Sequence, residues 1–138
     1  MAWIVDIDGT LALHGDRSPF DWARVDEDLP NDPVITVVRA LISSGQQVRY
    51  MSGRMEQCRD ATLAWLQQHV ASATLPTDLW MRADGDNRPD QVVKRELFEK
   101  HVQGTYEVEG VIDDRAKVVR MWRDELGLTV LQCADGDF

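Results

Sequence analysis

Cysteine is scarce in this sequence, and its two examples, Cys58 and Cys133, form neither a CxxC pair nor a cluster with histidine. That pattern argues against a zinc site; two partly buried, reduced thiols are expected instead. Long apolar runs are also missing. Nothing approaches the roughly 20 residues of a membrane-spanning helix. The first apolar stretch, Ala2 to Val5, is interrupted by Asp6 and makes no secretory leader. The expected setting is a cytoplasm, with no membrane partner. Positive charge is short as well. Fifteen Lys and Arg face 24 Asp and Glu, for a net charge of −9. Broad, sequence-blind binding of nucleic acid needs many cations against many phosphates, and this balance argues against it. A strand end touches only one or two phosphates and stays open. Part of the acidity can also be metal-binding carboxylate.

The sequence has no internal repeat and no low-complexity tract. Its 138 residues suit one domain, taken as 1–138. Short apolar runs alternate with amphipathic stretches, the pattern of a parallel sheet covered by helices. Strands are expected at Trp3–Asp6, Gln47–Met51, Leu79–Arg82, Gly110–Asp113 and Thr129–Gln132. The first and fourth are nearly all apolar until they end in acids, as strands buried on both faces are. Asp32 can cap a helix with Pro33 at its first position, an apolar face of Val34, Val37, Val38, Leu41 and Ile42, and Gly45 at its end. Further helices are expected from about Glu56 to Val70, after Pro89 (Val92, Val93 and Leu97 inward) and from Ala116 (Val118, Val119, Trp122 and Leu126 inward). Residues 9–32 lack periodicity and read as an irregular segment, long enough to be functional. Residues 83–90 read as a turn-rich loop.

In open α/β sheets, ligands bind beyond the carboxyl ends of the strands. The first expected strand ends in Asp6 and Asp8, the second in Ser52, Gly53 and Arg54, and the fourth in Asp113 and Asp114; Asp90 and Lys94 open the third helix. Crowded carboxylates need a cation, and an all-oxygen set suits Mg²⁺. A phosphoryl group could then be clamped between metal, Lys94 and the Ser52 hydroxyl. Asp6 could attack phosphorus, and Asp8 could move the proton. Asp-x-Asp-Gly also occurs in calcium loops, but such a loop starting at Asp6 needs glycine where Leu11 stands, and one starting at Asp84 needs it at Pro89. No GxxxxGK is present, so no P-loop kinase is encoded here. Taken singly, Asp113-Asp114 reads as a solvated loop, Ser52 as a helix cap and Lys94 as a surface lysine. Their joint occurrence at element ends is what points to chemistry.

Asp6-Ile7-Asp8-Gly9-Thr10, Ser52, Lys94 and Asp113-Asp114 resemble motifs I to IV of the haloacid dehalogenase (HAD) superfamily. The resemblance extends over the whole chain to the 3′-phosphatase domain of phage-type polynucleotide kinase-phosphatases. It runs through Arg17-Ser-Pro-Phe-Asp21, Met51-Ser-Gly-Arg54, Gly85-Asp-Asn-Arg-Pro-Asp90-Gln-Val-Val-Lys94, Val111-Ile-Asp-Asp-Arg115, Met121-Trp-Arg123 and Gly136-Asp-Phe138. It implies a three-layer, Rossmann-like α/β fold, a five-stranded parallel sheet flanked by helices with no large cap domain. It implies a Mg²⁺-dependent polynucleotide 3′-phosphatase working through an aspartyl-phosphate.

By the same resemblance Asp6 is nucleophile and Asp8 general acid/base. Asp6, the Asp8 carbonyl and Asp113 hold Mg²⁺, with Asp114 beside the metal, directly or through water. Ser52 and Lys94 bind the phosphoryl group. Arg17, Arg54 and Asp90 are further substrate-site residues; the arginines pair with phosphate or with the site's own carboxylates, and Asp90 orients Lys94 from one helical turn away. Implied partners are DNA or RNA 3′-phosphate ends and a kinase domain or ligase of the same pathway; a homodimer is left open. Two other readings compete: a HAD phosphatase of a small phosphomonoester such as a nucleotide, and a non-catalytic end-binding module. Among the tryptophans, Trp65 and Trp122 have core spacing, and Trp22 is the one candidate for base stacking.

Overall fold

The computed structural model describes residues 1–18 and 21–138; Pro19 and Phe20 of the Arg17–Asp21 motif lie outside the described residues. Five parallel strands form one sheet: β1 (Ala2–Val5), β4 (Gln47–Met55), β5 (Leu79–Arg82), β6 (Val108–Arg115) and β7 (Val130–Gly136), in the order β5-β4-β1-β6-β7. The first strand is central, with β4 on one side and β6 on the other. Strand order therefore reverses at the carboxyl end of β1, where the topology opens a crevice.

Alternation along the strands sends neighbouring residues to opposite faces. Val5, Val48, Tyr50 and Ile112 pack with Ile35 and Val38 of α1 (Asp32–Ser43) and with Trp65 and Leu66 of α2 (Arg59–His69). Ile4, Met51 and Val111 pack on the other face with Phe98 and Val102, at and just beyond α3 (Asp90–His101), and with Val118 and Val119 of α4 (Ala116–Arg120). This is the expected three-layer α/β arrangement. A π turn, Met121–Glu125, continues α4 and buries Met121 and Trp122. No helix among the described residues is long and apolar enough to cross a membrane.

Several boundaries differ from the sequence expectation, each for a local reason. The first strand stops at Val5, although the Asp6 amide still donates to the Ile112 carbonyl. β4 and β6 run further than expected, so Ser52, Gly53, Arg54 and Asp114 lie inside strands, together with Asp113. Pairing register slips between Ser52 and Met55 and between Asp113 and Arg115, so these strand ends splay where the polar residues sit. Asp32 is the first residue of α1 rather than its cap; the preceding Asn31 uses its side-chain amide to bond the Thr10 carbonyl at 2.8 Å. On α1, Ile35 and Val38 are the buried residues, while Val37 (44% exposed) and Ile42 (37%) face water. Val92 is likewise exposed on α3. The second helix opens with a 3-10 turn, Glu56–Cys58. Cys58 is buried but Cys133 is not. The segment before α1 is partly ordered: β2 (Ala12–Leu13) and β3 (Leu29–Pro30) form a small antiparallel ribbon around a 3-10 turn, Trp22–Glu27.

Candidate active site

Two ion clusters meet beyond the carboxyl ends of β1, β4 and β6. The first is built on Lys94, whose inward position in the second turn of α3 buries its ammonium almost completely. Lys94 Nζ donates to Asp6 Oδ1 at 2.6 Å and to Asp113 Oδ2 at 3.1 Å, and lies 3.9 Å from Asp90. The Thr10 hydroxyl bonds to Asp6 Oδ2 at 2.9 Å and to Asp114 Oδ1 at 3.3 Å. Asp113 also accepts the Trp122 indole N–H at 3.2 Å and the Asp114 amide at 2.8 Å. Gly9 turns the chain past this cluster with φ +80°, and a Cβ there would stand 2.2 Å from Asp114 Oδ2.

Asp6, Asp113 and Asp114 each bring a carboxylate oxygen within 4.8 Å of the others. Three buried acids face one ammonium. Burial, and then the facing Asp113, push the Asp6 carboxyl well above its ordinary range despite Lys94. Burial raises Asp114 too. Burial alone would lower Lys94; Asp113, Asp6 and Asp90 together overcome that and hold its ammonium firmly charged. The set is short of positive charge, hard, and all oxygen, so it can hold Mg²⁺.

The second cluster is built on Asp28, which sits at the foot of the 3-10 turn and is fully buried. Arg17 pairs with it bidentately (Nε to Oδ1 2.7 Å, Nη2 to Oδ2 3.0 Å). Arg54 Nη2 reaches Asp28 Oδ2 at 2.7 Å and also grips Asp8, with Nε to Oδ2 at 3.0 Å and Nη2 to Oδ1 at 2.7 Å. The remaining donors stay inside the protein: Arg54 Nη1 to Thr62 Oγ1 at 3.0 Å, and Arg17 Nη1 to the Ser18 and Asp21 carbonyls. Arg17 Nη2 also lies 2.6 Å from His14 Nδ1. Of the two roles expected for these arginines, pairing with the protein's own carboxylates is the one observed.

A cavity of about 630 Å³ opens over both clusters, lined by Asp6, Asp8, Asp90 and Asp114 among others. Arg17, Arg54, Ser52, Lys94 and Asp113 do not line it. Ser52 is fully buried, and its hydroxyl oxygen accepts the Arg54 amide at 3.0 Å. Asp90 bonds Arg82 at 3.0 Å and stands so close to β4 that a Cβ on Gly53 would lie 2.0 Å from Asp90 Oδ1. Arg82 also bonds the carbonyls of Gly53, Asp86 and Arg88, stapling the 83–89 loop to the sheet. Sequence reading missed Asp28 and Arg82. Arg82 had a signal, since it ends an apolar strand as the other site residues do; Asp28 had none.

Over residues 1–138 the sequence matches the family of polynucleotide kinase (PNKP) phosphatase domains. The chain belongs to that family. It is 37% identical over 125 residues to a "putative bifunctional polynucleotide kinase/RNA ligase" of Autographa californica nuclear polyhedrosis virus, covering 89% of this chain and 18% of that protein. It superposes on a chain in the structure of the Pnkp1/Rnl/Hen1 RNA repair complex with a TM-score of 0.93 and 41% identity, covering 99% of this chain and 43% of the other. The chain thus spans less than half the length of either relative. The class C acid phosphatase of Bacillus anthracis shares the fold at a TM-score of 0.63 and 17% identity, over 98% of this chain and 68% of the other. The family is one of HAD-type phosphatase domains.

Proposed function

We propose that this chain removes terminal 3′-phosphates from DNA or RNA, using Mg²⁺ and an aspartyl-phosphate intermediate on Asp6. The observation that carries the reading is the electrically incomplete cluster: Asp6 and Asp113 on one buried ammonium with Asp114 beside them, beneath a cavity that Asp8 also lines. Pure binding of an anion would not place four carboxylates there. Asp6, Asp113 and Asp114 would hold Mg²⁺, which when bound neutralises phosphoryl oxygens and fixes their orientation.

The chain's own residues supply the rest. Thr10 and Lys94 each hold one Asp6 oxygen and so fix the carboxylate's direction. Asp6 attacks phosphorus while the bond to the 3′ oxygen breaks, and Asp8, entering this step as the carboxylic acid, gives that oxygen its proton and is left as the carboxylate paired with Arg54. Asp8 then takes a proton from water, which attacks the aspartyl-phosphate and releases inorganic phosphate and free Asp6. Arg54, itself fixed by Asp28, aims Asp8; Arg17 fixes Asp28 from the other side. Asp90 tethers Arg82 and the loop that walls the cavity. Family membership supports a polynucleotide end as substrate. The relatives' names support a kinase or an RNA ligase as the neighbour in end repair, within one chain or between chains.

The test is direct. The protein with Mg²⁺ is given oligonucleotides phosphorylated at the 3′ or the 5′ end. Release from the 3′ end alone is expected; release from the 5′ end only, or from neither, sinks the proposal. Far better turnover of a mononucleoside 3′-phosphate would shift the reading to a small-molecule phosphatase.

A further inference from the structure

The cavity over Asp6 is larger than a phosphoryl group needs. At about 630 Å³ it falls in the size class of pockets that take a whole small organic ligand. Its lining is not only acid: Trp22, Met55 and Phe138 share it with Asp6, Asp8 and Asp114. Trp22 is half-buried at the start of the 3-10 turn, a turn anchored through the buried Val25. The turn is tied to the second ion cluster, since Arg17 bonds the Asp21 carbonyl and Asp28 follows its end. Phe138 is 61% exposed. Its carbonyl accepts Arg115 Nε at 3.0 Å, and the Arg115 guanidinium lies 4.9 Å from its ring centroid. Arg115 in turn stands 3.7 Å from Asp90. Both aromatics are therefore tethered to residues of the site.

Phosphate has no use for such walls, and the charge balance says what does. With a net charge of −9, the chain cannot draw a polynucleotide in mainly through its backbone phosphates. The cations in the cavity wall are already engaged, Arg82 by Asp90, Arg88 by Asp86 and Glu96, and Arg115 by the Phe138 carbonyl, so groups that ignore charge are the ones left to add affinity. Aromatic faces stack on any base, which suits a strand end of arbitrary sequence.

We propose that Trp22 and Phe138 are the base-binding walls of a subsite for the nucleoside that carries the 3′-phosphate. The inference rests on the polynucleotide 3′-phosphatase reading above and names which part of the substrate beyond phosphate is held. Stacking of this kind changes affinity by about five- to a hundredfold per base.

The experiment is a cycle between side chain and base. Wild type, Trp22→Ala, Trp22→Phe and Phe138→Ala are assayed on a 3′-phosphorylated oligonucleotide and on the same strand ending in an abasic tetrahydrofuran 3′-phosphate. On the base-bearing end, Trp22→Ala is expected to raise KM about tenfold with little change in kcat, Trp22→Phe to recover most of it, and Phe138→Ala to cost less. Removing the base from the substrate should raise KM similarly, and combining both losses should add little. Equal KM rises on both substrates, or a fall in kcat alone, would overturn the proposal by showing that Trp22 only props the Arg17–Asp28 cluster. Equilibrium binding of both ends to Asp6→Asn, with and without Trp22→Ala, separates the two readings. If wild type turns over neither substrate, the reaction assignment fails, while a preference for the base-bearing end that vanishes with Trp22 still supports the walls. No preference, or no binding, overturns them.

Discussion

The two ion clusters share a cavity floor but differ in their electrostatics. Around Asp28 the charges cancel: Arg17 and Arg54 face Asp28 and Asp8, and every guanidinium donor group ends on a protein acceptor. Around Lys94 they do not: one ammonium bonds Asp6 and Asp113 and stands 3.9 Å from Asp90, while Asp114 crowds Asp6 and Asp113 with no cation of its own in contact. A neutral, fully bonded cluster is complete without a ligand and serves to hold geometry. A cluster left with excess negative charge is costly to bury until a cation joins it. Under the proposed reaction the difference divides labour, with chemistry on the Lys94 side and aim on the Asp28 side; Asp8 belongs to the second cluster by its bonds and, in that proposal, to the first by its task.

The largest expected effect comes from breaking the unbalanced side. Asp6→Asn should lower turnover by at least about a thousandfold. It also removes one of the mutually repelling acids, so the metal-free variant should melt no lower than wild type, read by circular dichroism. Unchanged turnover would mean that the nucleophile is misassigned. Asp28→Asn should act in reverse. It strips the shared anion from two buried arginines, at a cost of about 3–5 kcal/mol in denaturant unfolding. Turnover should fall too, as Asp8 loses its aim, but the response to Mg²⁺ should survive. Loss of that response would show that the clusters cannot be separated.

How legible each cluster was in sequence follows from the same contrast. Asp6, Asp113 and Asp114 end apolar runs and Lys94 opens a helix, so the unbalanced cluster could be read from topology, although hydropathy puts Val92 on the inward side of α3, where Lys94 is the residue buried beside Val93. Asp28 could not. It is one acid among Asp16, Asp21, Asp26 and Glu27 in a stretch without periodicity, and only its contacts with Arg17, Arg54 and the Trp65 indole single it out. The arginines were visible as site residues, but phosphate and carboxylate present the same fork to a guanidinium, so their partner was not. The strand ends extend past expectation because Ser52-Gly-Arg54 and Asp114-Arg115 look like loop by hydropathy, while the parallel ladders carry them onward.

Metal addition sharpens the contrast at smaller amplitude. Mg²⁺ at a hundredfold excess over its Kd should stabilise wild type by about 2.7 kcal/mol, seen as a rise in Tm that a chelator reverses. Asp6→Asn should blunt that rise and Asp28→Asn should keep it. An equal rise in all three would place the metal elsewhere.

The smallest effect tests whether the balanced cluster holds its aim through one point or several. Thr62 Oγ1 accepts from Arg54 Nη1 at 3.0 Å, within the core beneath the site. Thr62→Val keeps the shape and leaves that donor unpaired, at a cost of about 1–2 kcal/mol in unfolding free energy. Arg54 would still grip Asp8 by two nitrogens and Asp28 by one, so turnover should fall less than about tenfold. Thr62→Ser, which restores an acceptor, should return most of the stability. A loss of turnover as deep as that of Asp28→Asn, with Thr62→Ser rescuing it, would mean that Asp8 is aimed through the whole bonded network rather than through Asp28.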